Sequence, residues 1–207
     1  MKLSTFFRVG AAVLVFAFAG TVSTAASITN GAFESPGTFS GGFQNTSSLD
    51  GWSVTGNVDL INTYWTPSEG AYSLDLNGTS SSASISQVIT GLVAGQTYKI
   101  LFDLSGNPAG PPPEKQLRVS TDEGAGSYSY NTSTSGTTLG DMKWTTEMFS
   151  FLAAGTSTTL TFASAQTASS FGPALDNIRF ETAVVPLPAS GLLLIGALGA
   201  LALRRRR

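Results

Sequence analysis

The chain contains no cysteine and no histidine. Without cysteine no disulfide can brace the fold, and thiolate-ligated metal centres drop out. Without histidine the Ser/His and Cys/His nucleophile–base pairs drop out, together with histidine-ligated zinc. Charge is scarce as well: Asp, Glu, Lys and Arg make up 12% of the 207 residues. Long apolar runs occur only near the two ends, and the stretch between them shows no extended helical periodicity. What is abundant there is glycine, serine and threonine, the composition of short strands joined by turns.

The ends read as processing segments. Lys2 and Arg8 border an apolar run over 9–19, followed by the small residues Ser23-Thr24-Ala25-Ala26. That order makes residues 1–25 a secretory signal peptide. At the other end, Val185-Pro186-Leu187-Pro188-Ala189 leads into an apolar run over 191–203 and then Arg204, Arg205, Arg206 and Arg207. The run is short against the roughly 20 residues of an unaided span, so crossing a bilayer requires the arginines to snorkel. Four arginines would stay on the cytoplasmic side and stop transfer, leaving the rest of the chain outside the inner membrane. This arrangement resembles the PEP-CTERM class of bacterial sorting signals, in its VPLPA variant. The resemblance implies a membrane protease-transpeptidase, an exosortase, as the partner that reads Val185 to Ala189. It also implies a cell-surface or extracellular-matrix destination in a Gram-negative bacterium. The chain thus divides into the signal peptide 1–25, a β-sandwich domain 26–182, and a sorting segment 183–207 with a short apolar transmembrane helix.

The formal charge of −2 averages these parts. Between residues 27 and 181, five basic residues face thirteen acidic ones, a net of −8. An acidic body disfavours nucleic acid and anionic membrane as partners and suits a soluble extracellular domain. Asn45-Thr46-Ser47, Asn77-Gly78-Thr79 and Asn131-Thr132-Ser133 fit the N-glycosylation pattern, but Ser/Thr-rich loops produce such triplets by chance.

Period-two patterning marks strands over 53–61, 72–76, 83–90, 97–105, 116–122, 127–132, 145–153, 157–164 and 174–181. Asn77-Gly78, Ala94-Gly95, Ser105-Gly106-Asn107-Pro108 and Ala154-Gly155 supply the turns. Short strands at this spacing predict an all-β jelly-roll sandwich. Tyr98, Ile100, Phe102 and Leu104 share the core face of one strand, with Lys99 and Asp103 on the other. The run Gly110-Pro111-Pro112-Pro113 offers no ladder donors among its prolines and reads as a stiff connection between sheets.

In the last strand, alternation places Asp176, Ile178 and Phe180 on one face. A carboxylate pointing inward needs backbone donors, an arginine or a metal ion. Near the start, Asn30-Gly31-Ala32-Phe33-Glu34 offers Glu34, and first and last strands of a jelly roll can lie side by side. Glu34 and Asp176 with carbonyl oxygens would suit a structural Ca²⁺, which takes six to eight oxygen ligands.

That N-terminal segment recurs with others in a recognisable order: Gly51-Trp52, Val58-Asp59-Leu60, Ser73-Leu74-Asp75-Leu76-Asn77-Gly78, Gly95-Gln96-Thr97-Tyr98, Asp103-Leu104-Ser105-Gly106-Asn107 and Gly172-Pro173-Ala174-Leu175-Asp176-Asn177-Ile178. Together they resemble the bacterial choice-of-anchor C family, exported domains that carry alternative surface anchors. The family is more distantly similar to galactose-binding-like jelly rolls, including calcium-containing carbohydrate-binding modules. What the resemblance implies is a fold and a location, and it strengthens the expectation of calcium at Glu34 and Asp176.

No acid sits in a motif that fixes two carboxylates across a cleft, so the expected function is non-catalytic. The first expectation is a structural or exopolysaccharide-matrix-associated module processed by an exosortase. The alternative is a carbohydrate-binding module for an extracellular polysaccharide, using Tyr64, Trp65, Tyr128 and Tyr130 as stacking rings. Trp52 and Trp144, beside strands, read as core. The two functions differ in one observable: a binding module needs an aromatic-lined groove with convergent polar groups.

Overall fold

A computed structural model of the protein describes residues 25–35, 39–79, 82–166 and 169–181. The signal segment through residue 24, the sorting motif 185–189 and the arginines 204–207 lie outside the described residues. Among the described residues the strands are β1 (Phe43–Thr46), β2 (Ser53–Thr55), β3 (Val58–Ile61), β4 (Ser73–Asp75), β5 (Ser84–Thr90), β6 (Thr97–Gly106), β7 (Glu114–Thr121), β8 (Gly124–Asn131), β9 (Thr145–Leu152), β10 (Ser157–Ser164) and β11 (Pro173–Phe180). They form a six-stranded sheet, β1-β3-β4-β11-β6-β9, and a five-stranded sheet, β2-β5-β10-β7-β8. All pairings are antiparallel, and the two sheets make the jelly-roll sandwich that the turn spacing predicts.

The core follows from alternation. Leu60, Leu74, Leu175, Leu104, Phe102 and Ile100 of the six-stranded sheet are buried against Ile85, Ile89, Leu160, Phe162, Val119 and Leu117 of the five-stranded one. Phe162 meets Trp52 and Phe102 edge-on, at centroid distances of 6.2 and 5.3 Å. Each such ring contributes roughly 1.5–3 kcal/mol by leaving water. The proline run after β6 carries the chain across to β7 in the other sheet, as its missing donors require.

Two expectations are corrected. The single strand over 53–61 is two strands in different sheets, β2 pairing with β5 and β3 with β4. Val54 and Leu60 both turn toward the core, and one continuous strand cannot serve both walls of it. In β11 the alternation is broken between Asp176 and Arg179, where the register against β6 shifts and Asn177 has φ of 51°. This bulge sends Asp176 to the outer face, paired with Asp103, while Ile178 returns to the core. The three residues 176, 178 and 180 therefore do not share a face.

The N-terminal segment closes the sandwich over this bulge. Ile178 donates its N–H to the Gly31 carbonyl at 2.9 Å. The approach is so close that a Cβ on residue 31 would sit 1.9 Å from the Ile178 carbonyl oxygen. Neither backbone can move without breaking the ladder, so Gly31→Ala is expected to destabilise the domain by about 2–3 kcal/mol. For a domain of this size that lowers Tm by roughly 5–10 °C, checked by thermal and denaturant unfolding.

A polar network ties one end of the sandwich together. Fully buried Asp75 accepts hydrogen bonds from Asn107 Nδ2 at 2.8 Å and from the backbone N–H groups of Asn77 and Gly172 at 2.8 and 3.0 Å. Lys115, also buried, donates to the carbonyls of Gly110 and Phe171 at 2.9 and 2.7 Å. Burial pushes Asp75 up to about 7 despite these bonds, and the neighbouring Asp59 charge pushes the same way. Burial pulls Lys115 down to about 8, opposed by the charge of Asp75. On the outer face burial likewise raises Asp176 to about 7 against the bonds from Glu69, Asn177 and Ser68.

The folded chain thus keeps protons on Asp75 and Asp176 that the unfolded chain releases. The stability this contributes is fully present below pH 3.8 and is lost as pH rises through about 7. Carboxyls held low, such as Asp103, act in the opposite sense but in the acid range below that window. Tm is therefore expected to rise as pH falls from about 8 to about 5, and Asp75→Asn to flatten the rise, read from melting curves across pH.

Candidate functional site

The outer face of the six-stranded sheet carries a cross-strand row, Phe43, Ile61 and Ser73 on β1, β3 and β4, continued by Asp176, Asp103 and Thr146 on β11, β6 and β9. A polar row of this kind cannot be sealed by apolar packing alone. The loop between β3 and β4, residues 62–72, runs along it and supplies a partner at each step. Tyr64 packs edge-on against Phe43, and the Trp65 indole N–H donates to the Ser73 hydroxyl at 2.8 Å. Ser68 and Glu69 then donate their backbone N–H groups to one oxygen of Asp176, at 2.8 and 3.0 Å, while Asn177 N–H donates to the other. Burial by itself would raise Asp103, but the Ser68 and Thr146 hydroxyls, the Asn177 amide and the Arg179 charge together hold it below the usual carboxylate range.

Glu34 grips the same loop further on. Its Oε1 accepts the N–H groups of Ala71 and Tyr72 at 2.8 and 2.9 Å. Gly70, at φ of 64°, is what lets the carboxylate approach, since a Cβ there would meet Oε1 at 2.3 Å. Glu34 and Asp176 thus both bond to one loop, through different amides and without sharing a strand pair. The groups facing these oxygens are N–H donors, the opposite polarity from the carbonyl oxygens a Ca²⁺ shell needs. As placed, the donor set does not fit the ion, and among the described residues no three acidic side chains gather as a metal cluster.

A second connection completes the cover. Residues 132–144, between β8 and β9, bring Leu139, Met142 and Trp144 onto Ile61, Trp65 and Ala174 in a satellite apolar cluster. The Trp144 indole donates to the Thr66 carbonyl at 3.1 Å, binding the two loops to each other. Where they meet, Asn62, Thr63, Tyr64, Trp65, Thr66, Pro67 and Leu139 line an open groove of about 420 Å³. The Tyr64 ring, half-buried between Phe43 and Trp65 at centroid distances of 5.5 and 5.6 Å, forms its aromatic wall. Its hydroxyl and the side chains of Asn62, Thr63 and Thr66 make no hydrogen bond within the described residues.

The four rings expected to stack a ligand separate into distinct roles. Tyr64 lies in the groove. Trp65 lines the groove beside it but is only 2% exposed and spends its N–H on Ser73, so it contributes little surface and mainly supports the Tyr64 ring. Tyr130 is 5% exposed, and its hydroxyl meets Thr137 and the carbonyls of Met142 and Lys143, anchoring the second loop from inside. Tyr128 is half-buried, edge-on to Phe102 at 5.0 Å, and donates to the Met148 carbonyl. Tyr128 and Tyr130 do share a face, but it is the inner one. Both plug the sandwich and present no platform. Trp52 is core as expected, whereas Trp144 is half-buried in the loop cover.

The site also contains residues that alternation did not flag. Phe43 sits on a four-residue edge strand hidden in a Gly/Ser-rich stretch, and Leu139 on a loop with no local signal. The outer face of the five-stranded sheet is built from Ser53, Thr55, Ser86, Thr159, Thr161 and their neighbours and carries no aromatic ring among the described residues. It offers hydroxyls without a stacking surface. The cross-strand carboxylates Asp103 and Asp176 are clamped under the loop by Ser68 and Glu69.

Comparison with known proteins places this architecture. Among solved structures, the chain is similar to an arabinose-bound α-L-arabinofuranosidase, MgGH51, at 15% identity and a TM-score of 0.50, over 75% of this chain and 26% of that one. It is similar to the module TmCBM61, solved with β-1,4-galactotriose, at 20% identity and a TM-score of 0.48, over 76% of this chain and 99% of the other. These identities speak to the fold alone. Halomucin of Haloquadratum walsbyi is 30% identical over 182 residues, 83% of this chain, but the match spans only 2% of halomucin. A family profile matches residues 26–181, nearly the whole described region, and on that match the chain belongs to the family described as "Protein of unknown function (DUF642)".

Proposed function

We propose that the domain is a non-catalytic glycan-binding module that works outside the cell, with the groove at Tyr64 as its binding surface. The observation that carries this reading is the groove itself. It combines an aromatic wall with unpaired amide and hydroxyl groups, the pairing of surfaces that a pyranose presents through its C–H face and its hydroxyls. Its openness suits a polysaccharide chain lying across it. The alternative, a purely structural matrix module, requires no such groove. Export through the signal segment and exosortase processing at Val185 to Ala189 belong to the same proposal, motivated by the two ends of the sequence.

Tyr64→Ala is expected to lower affinity for extracellular polysaccharide about tenfold or more, with Tm nearly unchanged because the ring is only half-buried. Glycan arrays followed by isothermal titration check this, and a folded wild-type chain that binds no polysaccharide would remove the reading in favour of the structural module. The amides at Glu34 and Asp176 lead to a separate expectation for the ion: EDTA should leave Tm unchanged, and a chelation-induced drop that added Ca²⁺ reverses would establish calcium after all.

A further inference from the structure

Strand β1 separates two hollows. The Tyr64 groove lies on its outer side with Phe43, while Gln44, paired with Leu60 and sharing its face, looks into a second and more enclosed one of about 310 Å³. Buried Phe33, Leu49 and Leu60 form its apolar lining. Around them stand Ser35, Gln44 and Asp50, whose side chains have no hydrogen-bond partner within the described residues.

The wall is held in an unusual way. Asn30 and Phe33 both line the pocket and both have left-handed backbones, with φ of 49° and 60°. Asparagine tolerates that region, but for phenylalanine it costs about 1–2 kcal/mol. Surrounding bonds impose it: Phe33 N–H donates to the Asn30 carbonyl at 3.3 Å, the Trp52 indole donates to the same carbonyl at 3.0 Å, and Asn30 Nδ2 donates to the Asp50 carbonyl at 2.9 Å. Backbone strain maintained by its neighbours is a feature of sites shaped before a ligand arrives.

The lining chemistry narrows the occupant. No lysine or arginine borders the pocket and Asp50 does, so an anion is disfavoured. One exposed carboxylate is too little for a divalent cation. The volume is at the low end for small-molecule sites, enough for one ring and too little for an oligosaccharide. We propose that this pocket is a second ligand site, which takes a single neutral hydroxylated ring of the aldose class. Gln44, Ser35 and Asp50 bond its hydroxyls, over a floor formed by the edges of the buried Phe33, Leu49 and Leu60. This inference is independent of the Tyr64 groove.

The test uses the purified full chain and a panel of free neutral monosaccharides: galactose, glucose, mannose, arabinose and xylose. Saturation-transfer NMR and isothermal titration at millimolar sugar should detect at least one of them. Gln44→Ala should weaken that binding about tenfold, the worth of one well-made hydrogen bond, and Gln44→Trp, which fills the pocket from an exposed edge position, should abolish it. Tyr64→Ala should leave it intact. The inference is overturned if no sugar in the panel binds, if both Gln44 variants bind like wild type, or if only Tyr64→Ala removes binding. Because the groove is read out with polysaccharide and Tyr64, either site can fail without the other.

Discussion

The outer face of the six-stranded sheet depends on how one buried carboxylate is satisfied. Asp176 is removed from water on a strand whose neighbour carries another carboxylate, Asp103, directly opposite. Like charges so placed are destabilising, and each buried oxygen left unpaired would cost several kcal/mol. The loop 62–72 resolves this by turning two backbone amides onto Asp176 and a serine hydroxyl onto Asp103. Once the loop is pinned there, and again by Glu34 at Ala71 and Tyr72, the positions of Trp65 and Tyr64 earlier in the same loop are set as well. The groove is a consequence of that pinning.

The bulge in β11 extends the same logic to the other side of the sandwich. Releasing one residue from the ladder lets Asn177 reach Asp103 and lets Ile178 return to the core beside the Gly31 carbonyl. The N-terminal segment is thereby fastened to the last strand, and its strained turn at Asn30 to Phe33 borders the second pocket. Both hollows therefore share their support, although they open on opposite sides of β1.

At the opposite pole of charge chemistry, Asp75 and Lys115 lock the end of the sandwich without contacting either hollow. Asp75 gathers the chain after β4, β6 and the approach to β11, three segments far apart in sequence, while Lys115 holds two carbonyls from the proline run and from residue 171. Their displaced pKa values reflect this structural burial.

Much of this was determined by the sequence alone. Period-two alternation and turn residues located eight of the strands, β4 to β11, within a few residues and 157–164 to the residue, because a half-buried strand must alternate whatever surrounds it; they merged β2 with β3 and missed β1. The absence of cysteine and histidine removed whole classes of chemistry without reference to any fold. The sequence could also mark Asp176 as a carboxylate in need of partners, although it placed that residue on the wrong face. It could not foresee that the partners are amides of residues 68 and 69, more than a hundred positions away. Nor could it separate Tyr64 from Trp65, Tyr128 and Tyr130, since an aromatic ring reads the same whether it seals a core or lines a groove. That distinction rests on which loop lies over which row of the sheet, a long-range contact with no local signature, and only the tertiary structure decided it.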